Sequence, residues 1–205
     1  MSRGVQKSRQ TNLWLAVPVK PFGEGKSRLA SQLTPEERAA VSRRMLAHLL
    51  EVAAGSPFLA GILVVSRDPH VLALAADWGA VPVMEQGAGI NAALGQAALA
   101  ATERGGRAIL ILPADLPLIT GEDMAQLAQN LPDPAGICLV SSKDGGTNAL
   151  AMQPIGAIPF AFGMDSFRRH HALAQAAGLP IHVIESPTLA VDLDSPADLW
   201  VMQEK

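Results

Sequence analysis

The sequence predicts an α/β fold: a three-layer sandwich around a mainly parallel but mixed sheet. Short apolar, β-branched runs alternate with stretches of helical spacing along most of the chain. Those runs are apolar throughout rather than every second residue, as in strands covered on both faces. The segments joining the first runs are long enough for the right-handed crossover helices that parallel neighbours need. With 205 residues, 49% of them hydrophobic, the chain suits one domain over 13–205 behind a flexible polar tail at 1–12.

Composition removes several function classes. Only 17% of residues are charged, both signs are mixed and the formal net charge is −3, which argues against disorder and against a polybasic nucleic-acid surface. A single cysteine, Cys138, allows neither an intramolecular disulfide nor a paired-cysteine zinc site. No window approaches the ~20 apolar residues of a membrane-spanning helix, and the apolar run at 13–19 is interrupted by Pro18 and closed by Lys20, unlike a secretory leader. A cytoplasmic protein without nucleic-acid or membrane partners is expected.

The elements follow in order. Residues 13–19 read as a buried strand whose pairing ends or bulges at Pro18. Thr34-Pro35-Glu36-Glu37 supplies an N-cap, a first-turn proline and an acid three residues after the cap; Val41, Met45, Leu49 and Val52 form one helical face, and Gly55-Ser56-Pro57 ends it. Strands at 61–65 and 81–84 flank a helix that Asp68-Pro69 opens and that runs to about Trp78. An alanine-rich helix at 89–104 leads to the strongest strand, 107–112, after which Thr120 caps another helix. Strands at 137–140 and 148–152 are joined so briefly that an antiparallel excursion is expected. A helix at 167–178, a strand at 181–184, a last short strand at 189–194 and a helix capped by Ser195-Pro196 complete the chain.

In open α/β sheets ligands gather at the carboxyl ends of strands. After the first strand comes Lys20-Pro21-Phe22-Gly23-Glu24-Gly25-Lys26-Ser27-Arg28, a cationic, glycine-bearing loop able to meet phosphates, or simply a solvated basic loop. Its Gly25-Lys26-Ser27 imitates the end of a P-loop, but Lys20 stands where the first glycine belongs and the helix starts too late. Asp115, between Pro113 and Pro117, could hold a hard cation or serve as a turn aspartate. In Val191-Asp192-Leu193-Asp194 a period of two puts both carboxylates on one side, an arrangement that costs stability unless a cation offsets it; a cap at Ser195 explains only Asp194. Asp144-Gly145-Gly146-Thr147-Asn148 reads as a hairpin turn, and Gly163 and Ser166 lie where a helix begins, an anion site that Arg168, Arg169 and His170 would reinforce. His48 and His182 read as structural.

Taken together, V-P-V-K-x5-K-S-R-L, P-A-D-L-P-L, D-G-G-T-N-A-L, F-G-x-x-S-F-x-x-H and D-L-D-S-P-A-D-L resemble the CofC/FbiD guanylyltransferases of deazaflavin coenzyme F-420 biosynthesis from Leu13 to Leu199. The resemblance implies a GT-A-like nucleotide-diphospho-sugar transferase fold. It also implies a reaction in which the phosphate of 2-phospho-L-lactate, phosphoenolpyruvate or 3-phospho-D-glycerate attacks the α-phosphorus of GTP. Carried over, Asp115, Asp192 and Asp194 would bind Mg²⁺; Lys20, Thr147, Gly163 and Ser166 would hold the acid; Lys26, Arg28 and Asn91 would meet the nucleotide; and Lys20, Lys26 and Asp115 would be catalytic. Ser142-Lys143-Asp144 would border the acid pocket. The resemblance leaves room for hand-over of the product to the next enzyme and for a homodimer. The rival readings are another GT-A-like nucleotidyltransferase, of molybdenum-cofactor or sugar-nucleotide type, whose first loop is usually richer in glycine, and a nucleotide-binding partner without turnover.

Overall fold

The computed structural model describes residues 12–87, 89–193 and 198. β1 (Leu13–Pro18) stops at its proline, which has no N–H for the ladder. α1 (Pro35–Ala54) opens on a complete capping box: Thr34 accepts the Glu37 N–H and the Glu37 carboxylate accepts the Thr34 N–H. β2 (Leu59–Ser66), α2 (Pro69–Asp77, capped by Asp68), β3 (Val81–Met84), α3 (Ile90–Glu103) and β4 (Ala108–Ile111) continue the alternation. α4 (Gly121–Gln129) starts on a second capping box between Thr120 and Asp123. β5 (Gly136–Ser141), β6 (Thr147–Gln153), α5 (Ser166–Ala176) and β7 (Ile181–Val183) follow.

These strands form one seven-stranded sheet in the order β3-β2-β1-β4-β6-β5-β7. Only β6 runs against the others, pairing antiparallel with both β4 and β5, so the antiparallel excursion lies where the short connection at 141–147 predicts it. Successive residues of β1 serve opposite layers. Leu13, Leu15 and Val17 pack with Leu46, Leu49 and Leu50 of α1 and with Met124 and Leu127 of α4; Trp14 and Ala16 pack with Ala93, Leu94 and Ala97 of α3. Each fully buried leucine contributes about 2 kcal/mol by transfer out of water. Among the described residues no helix is long and apolar enough to cross a membrane.

One expected element is absent. Residues 189–193 form no strand: Leu189 and Ala190 close a turn through Ala190 N–H to Ser186 C=O, and 191–193 run as irregular chain. The segment's backbone groups are engaged elsewhere, the Leu189 carbonyl by the Asn148 side chain and the Leu193 N–H by the Asp115 carbonyl, rather than in a strand ladder. The expected tail, apart from Asn12, and the helix after Ser195, apart from Asp198, lie outside the described residues.

Candidate active site

Because β1 to β4 are parallel, the loops leaving them emerge on one rim of the sheet. A cleft of about 390 Å³ opens there, lined by Lys20 after β1, Arg67 after β2, Glu85 after β3, Asp115 after β4, and Lys26. The rule that ligands sit beyond the carboxyl ends of such strands therefore locates it.

Lys26 reaches across this cleft. Its Nζ donates to Asp115 Oδ2 at 2.8 Å, and its side chain is only 7% exposed against 30% for Asp115. The lysine backbone sits in the left-handed region at φ 57°, leading into a single 3-10 turn over Ser27–Leu29 rather than the long helix of a P-loop. Asp68 anchors the base of the loop: Oδ2 accepts the Phe22 N–H at 3.1 Å while Oδ1 accepts the His70 N–H at 2.9 Å and so caps α2. At the mouth Arg67 is ion-paired with Glu24.

The segment carrying Asp192 is tied down at several points. Buried Asp123 accepts from the hydroxyls of Ser186 (2.8 Å) and Thr188 (2.6 Å), and Asn148 Nδ2 donates to Leu189 C=O at 2.8 Å. The Leu193 N–H then donates to Asp115 C=O at 3.1 Å, and the Leu193 side chain packs with Leu29 and Met45 beside the Lys26 turn. Val191 and Leu193 are buried while Asp192 between them is half-exposed, so the alternation read from the sequence holds there. Asp115 and Asp192 thus lie on adjoining backbone segments. Asp194 lies outside the described residues, and among those described no group of three His, Cys, Asp or Glu side chains could hold a metal. Asp115 in the cleft, with Asp192 on the adjoining segment, supplies carboxylate oxygens of the kind that suit Mg²⁺, which is commonly held by one or two carboxylates, substrate phosphates and waters.

A second cluster lies at the amino end of β6, which its antiparallel direction brings to the carboxyl end of β4. Gly145 has φ +83°, and a Cβ on Gly146 would stand 2.6 Å from Ser142 Oγ, so this turn needs both glycines. The Ser142 hydroxyl holds the Asp144 carboxyl below its ordinary range despite some desolvation, with the Gly146 N–H and the positive charge of Arg28 adding to the effect. The Phe167 N–H donates to Gly145 C=O and the Ser166 N–H to Gly163 C=O, so the turn, Gly163 (φ +124°) and the start of α5 form one unit. Two N–H groups that the sequence left for an anion are therefore engaged.

His170 corrects the sequence reading more sharply. It is no surface cation: the ring is fully buried, and burial first, then the Arg169 charge, pulls its pKa down to about 4. Its Nδ1 lies 3.0 Å from Thr147 Oγ1 and its Nε2 accepts the Ala161 N–H at 2.9 Å. Asn91 clasps the backbone of Phe162 from both ends of its amide, donating to the carbonyl (3.1 Å) and accepting the N–H (2.8 Å). His48 lies against Ile119 C=O and His182 against Asn130 C=O, in keeping with structural roles. The double duty of Asp68 and the tethering by Asp123 went unread, because in sequence each is accounted for by helix capping alone.

Residues 13–203 match the family model described as Guanylyl transferase CofC like. The chain belongs to this CofC-like family. Among its CofC relatives, the phosphoenolpyruvate guanylyltransferase of Rubrobacter xylanophilus is 43% identical over 92% of either chain. The 3-phospho-D-glycerate guanylyltransferase of Phenylobacterium zucineum is 36% identical over 84% of this chain and 81% of its own. The fold is that of the nucleotidyltransferases. A Desulfovibrio desulfuricans protein described as a nucleotide-diphospho-sugar transferase superposes with a TM-score of 0.77 at 16% identity, covering 94% of this chain and 86% of that one. CMP:2-keto-3-deoxy-manno-octonic acid synthetase follows with a TM-score of 0.65 at 14% identity, over 95% of this chain and all of that one. Membership in the CofC family thus agrees with the motif resemblance and the sandwich read from the sequence.

Proposed function

We propose that this protein transfers GMP from GTP to the phosphate of a three-carbon acid in coenzyme F-420 biosynthesis. A phosphate oxygen of the acid forms a bond to the α-phosphorus of GTP, the bond from that phosphorus to the bridging oxygen of the β-phosphate breaks, and pyrophosphate leaves with the electron pair. The observation that carries this reading is the convergence of Lys20, Lys26 and Asp115 on one cleft, with the Asp192 segment hydrogen-bonded to the Asp115 backbone. Phosphoenolpyruvate is the first acid to test, since the relative at 43% identity is named for it; 3-phospho-D-glycerate and 2-phospho-L-lactate follow.

The chemistry asks little of the protein beyond charge and alignment. A phosphate monoester has its second pKa near ~6 and is already a nucleophile at neutral pH, so no general base is needed. Lys20 and Lys26 offset the repulsion between two polyanions and hold them in line. Arg28 reaches the phosphates from the same loop, Asn91 keeps the wall beside the nucleotide in place, and Thr147, Gly163 and Ser166 grip the acid. Asp115 and Asp192, with Asp194, would hold Mg²⁺, which when bound supplies Lewis-acid charge to the phosphoryl oxygens. Lys26 against Asp115 balances the carboxylate when the cleft is empty.

The test is pyrophosphate release by purified protein with GTP and Mg²⁺, each acid offered separately and ATP and CTP as controls. Release with GTP and one acid is the expected result; silence with all three in protein that binds GTP would sink the proposal.

A further inference from the structure

We infer that His170 is a positioning residue that fixes the Thr147 hydroxyl as a hydrogen-bond donor toward the acid substrate. The inference rests on the function proposed above, but its structural half stands on geometry alone. A backbone N–H can only donate, so the Ala161 N–H at 2.9 Å requires a bare lone pair on His170 Nε2. Neither the Nε2–H tautomer nor imidazolium meets that requirement. The ring proton must therefore sit on Nδ1, and Nδ1–H donates to Thr147 Oγ1 at 3.0 Å.

The consequence falls on Thr147. A hydroxyl that accepts from histidine must direct its own hydrogen elsewhere, and among the described residues no carbonyl, carboxylate or other acceptor takes it. The side chain is buried at 6% exposure, where an unused donor is costly unless a ligand completes it. Thr147 opens β6 at the rim that carries Asp115. The carboxylate and phosphate of such an acid offer acceptor oxygens, so a committed donor suits them and a freely rotating hydroxyl suits them less.

The histidine is itself well held. The Phe162 ring meets it edge-on with centroids 4.7 Å apart, and Asn91 fixes the Phe162 backbone. Through Nε2 the ring orders the chain entering Gly163, and through Nδ1 it orders Thr147. One imidazole thus sets two parts of the proposed acid site in register, and desolvation keeps it neutral at physiological pH.

Two variants separate the two arms. His170→Gln can place an acceptor near the Nε2 position and loses the donor to Thr147, whereas His170→Asn keeps an N–H near Nδ1 and loses the Ala161 bond. His170→Gln should raise the KM for the acid about tenfold with the KM for GTP unchanged, the size of one hydrogen bond to a charged ligand, and His170→Asn should stay nearer wild type. In a Thr147→Val background His170→Gln should cost little more, because the hydroxyl it would misorient is gone. Thermal melts check that each variant folds, and long-range ¹H–¹⁵N correlation of the wild-type chain reads the tautomer, expected protonated on Nδ1 and bare on Nε2. An Nε2–H ring, or fully additive losses in the double variant of an active enzyme, would overturn the role of His170 alone. A wild-type chain inert with GTP and every acid would overturn the proposed function along with it.

Discussion

Lys26 holds a left-handed backbone conformation that costs a non-glycine residue roughly 1–2 kcal/mol, and in return its ammonium group sits against Asp115. Such strain persists where surrounding structure imposes it, and here the anchored loop does so. Lys26→Met should lower kcat about 100-fold, the usual cost of one preorganised charge contact, while the melting temperature moves little because Asp115 is 30% exposed and water can solvate it. Asp115→Asn and Asp192→Asn should each abolish pyrophosphate release while far-UV circular dichroism stays native; wild-type activity in either would remove them from the metal site. His170 governs a pH effect. Its pKa is about 4 in the fold and near 6.5 when unfolded, so its contribution is complete above about pH 6.5. As pH falls toward 4 the unfolded chain takes up the proton first, and roughly 3 kcal/mol is lost. Urea titrations of wild type and His170→Gln across that window should differ in slope.

At the scale of elements, the site depends on loops made rigid by contacts that the helices supply. The Asp123 that closes the α4 capping box also gathers Ser186 and Thr188, so one carboxylate both starts a helix and fixes the segment that delivers Asp192. Asp123→Ala should therefore destabilise the protein by about 2–4 kcal/mol, more than loss of a cap alone, because buried hydroxyls lose their acceptor. Chemical denaturation measures this, and a loss below about 1 kcal/mol would assign the 186–189 anchor to Asn148 instead. The turn before β6 is equally constrained: Gly146→Ala pushes a methyl group against Ser142 Oγ at 2.6 Å and should disturb Thr147 next to it. These connections are not visible in the periodicities of the sequence. Helix caps and strand runs are local and can be read; which distant loop a cap residue also holds cannot.

Across the whole molecule, the cleft draws on segments near residues 20, 67, 85, 90 and 115, and the strap near 192 joins it through a backbone bond. A ligand that bridges these segments binds only the folded chain. GTP with Mg²⁺ at 100 times its Kd should add about 2.7 kcal/mol to stability, and EDTA should remove most of the gain. Differential scanning fluorimetry checks this; equal stabilisation with and without metal would count against the Asp115 and Asp192 assignment.

By itself the sequence determined the order of the elements through β7, the sandwich they form and the residues worth watching at the strand ends. Those features depend on local chemistry: the proline that stops β1, the box at Thr34, the cap at Thr120, the apolar runs of β2 and β4. Only the tertiary structure decided that residues 189–193 pair with no strand, because their backbone groups bond to Asn148 and Asp115 instead, and that Thr147 meets His170. The register of β5 and β6 slips between Val140/Ser141, so Ser141 pairs with Thr147 and Asn148 becomes the extra residue. That bulge breaks the simple alternation that would otherwise send Thr147 the way of Ala149 and Ala151, into the layer of α1 and α4. It lets Thr147 reach α5 while Asn148 reaches Leu189. A one-residue slip inverts which side chains face which layer, and it arises from contacts between elements far apart in the chain.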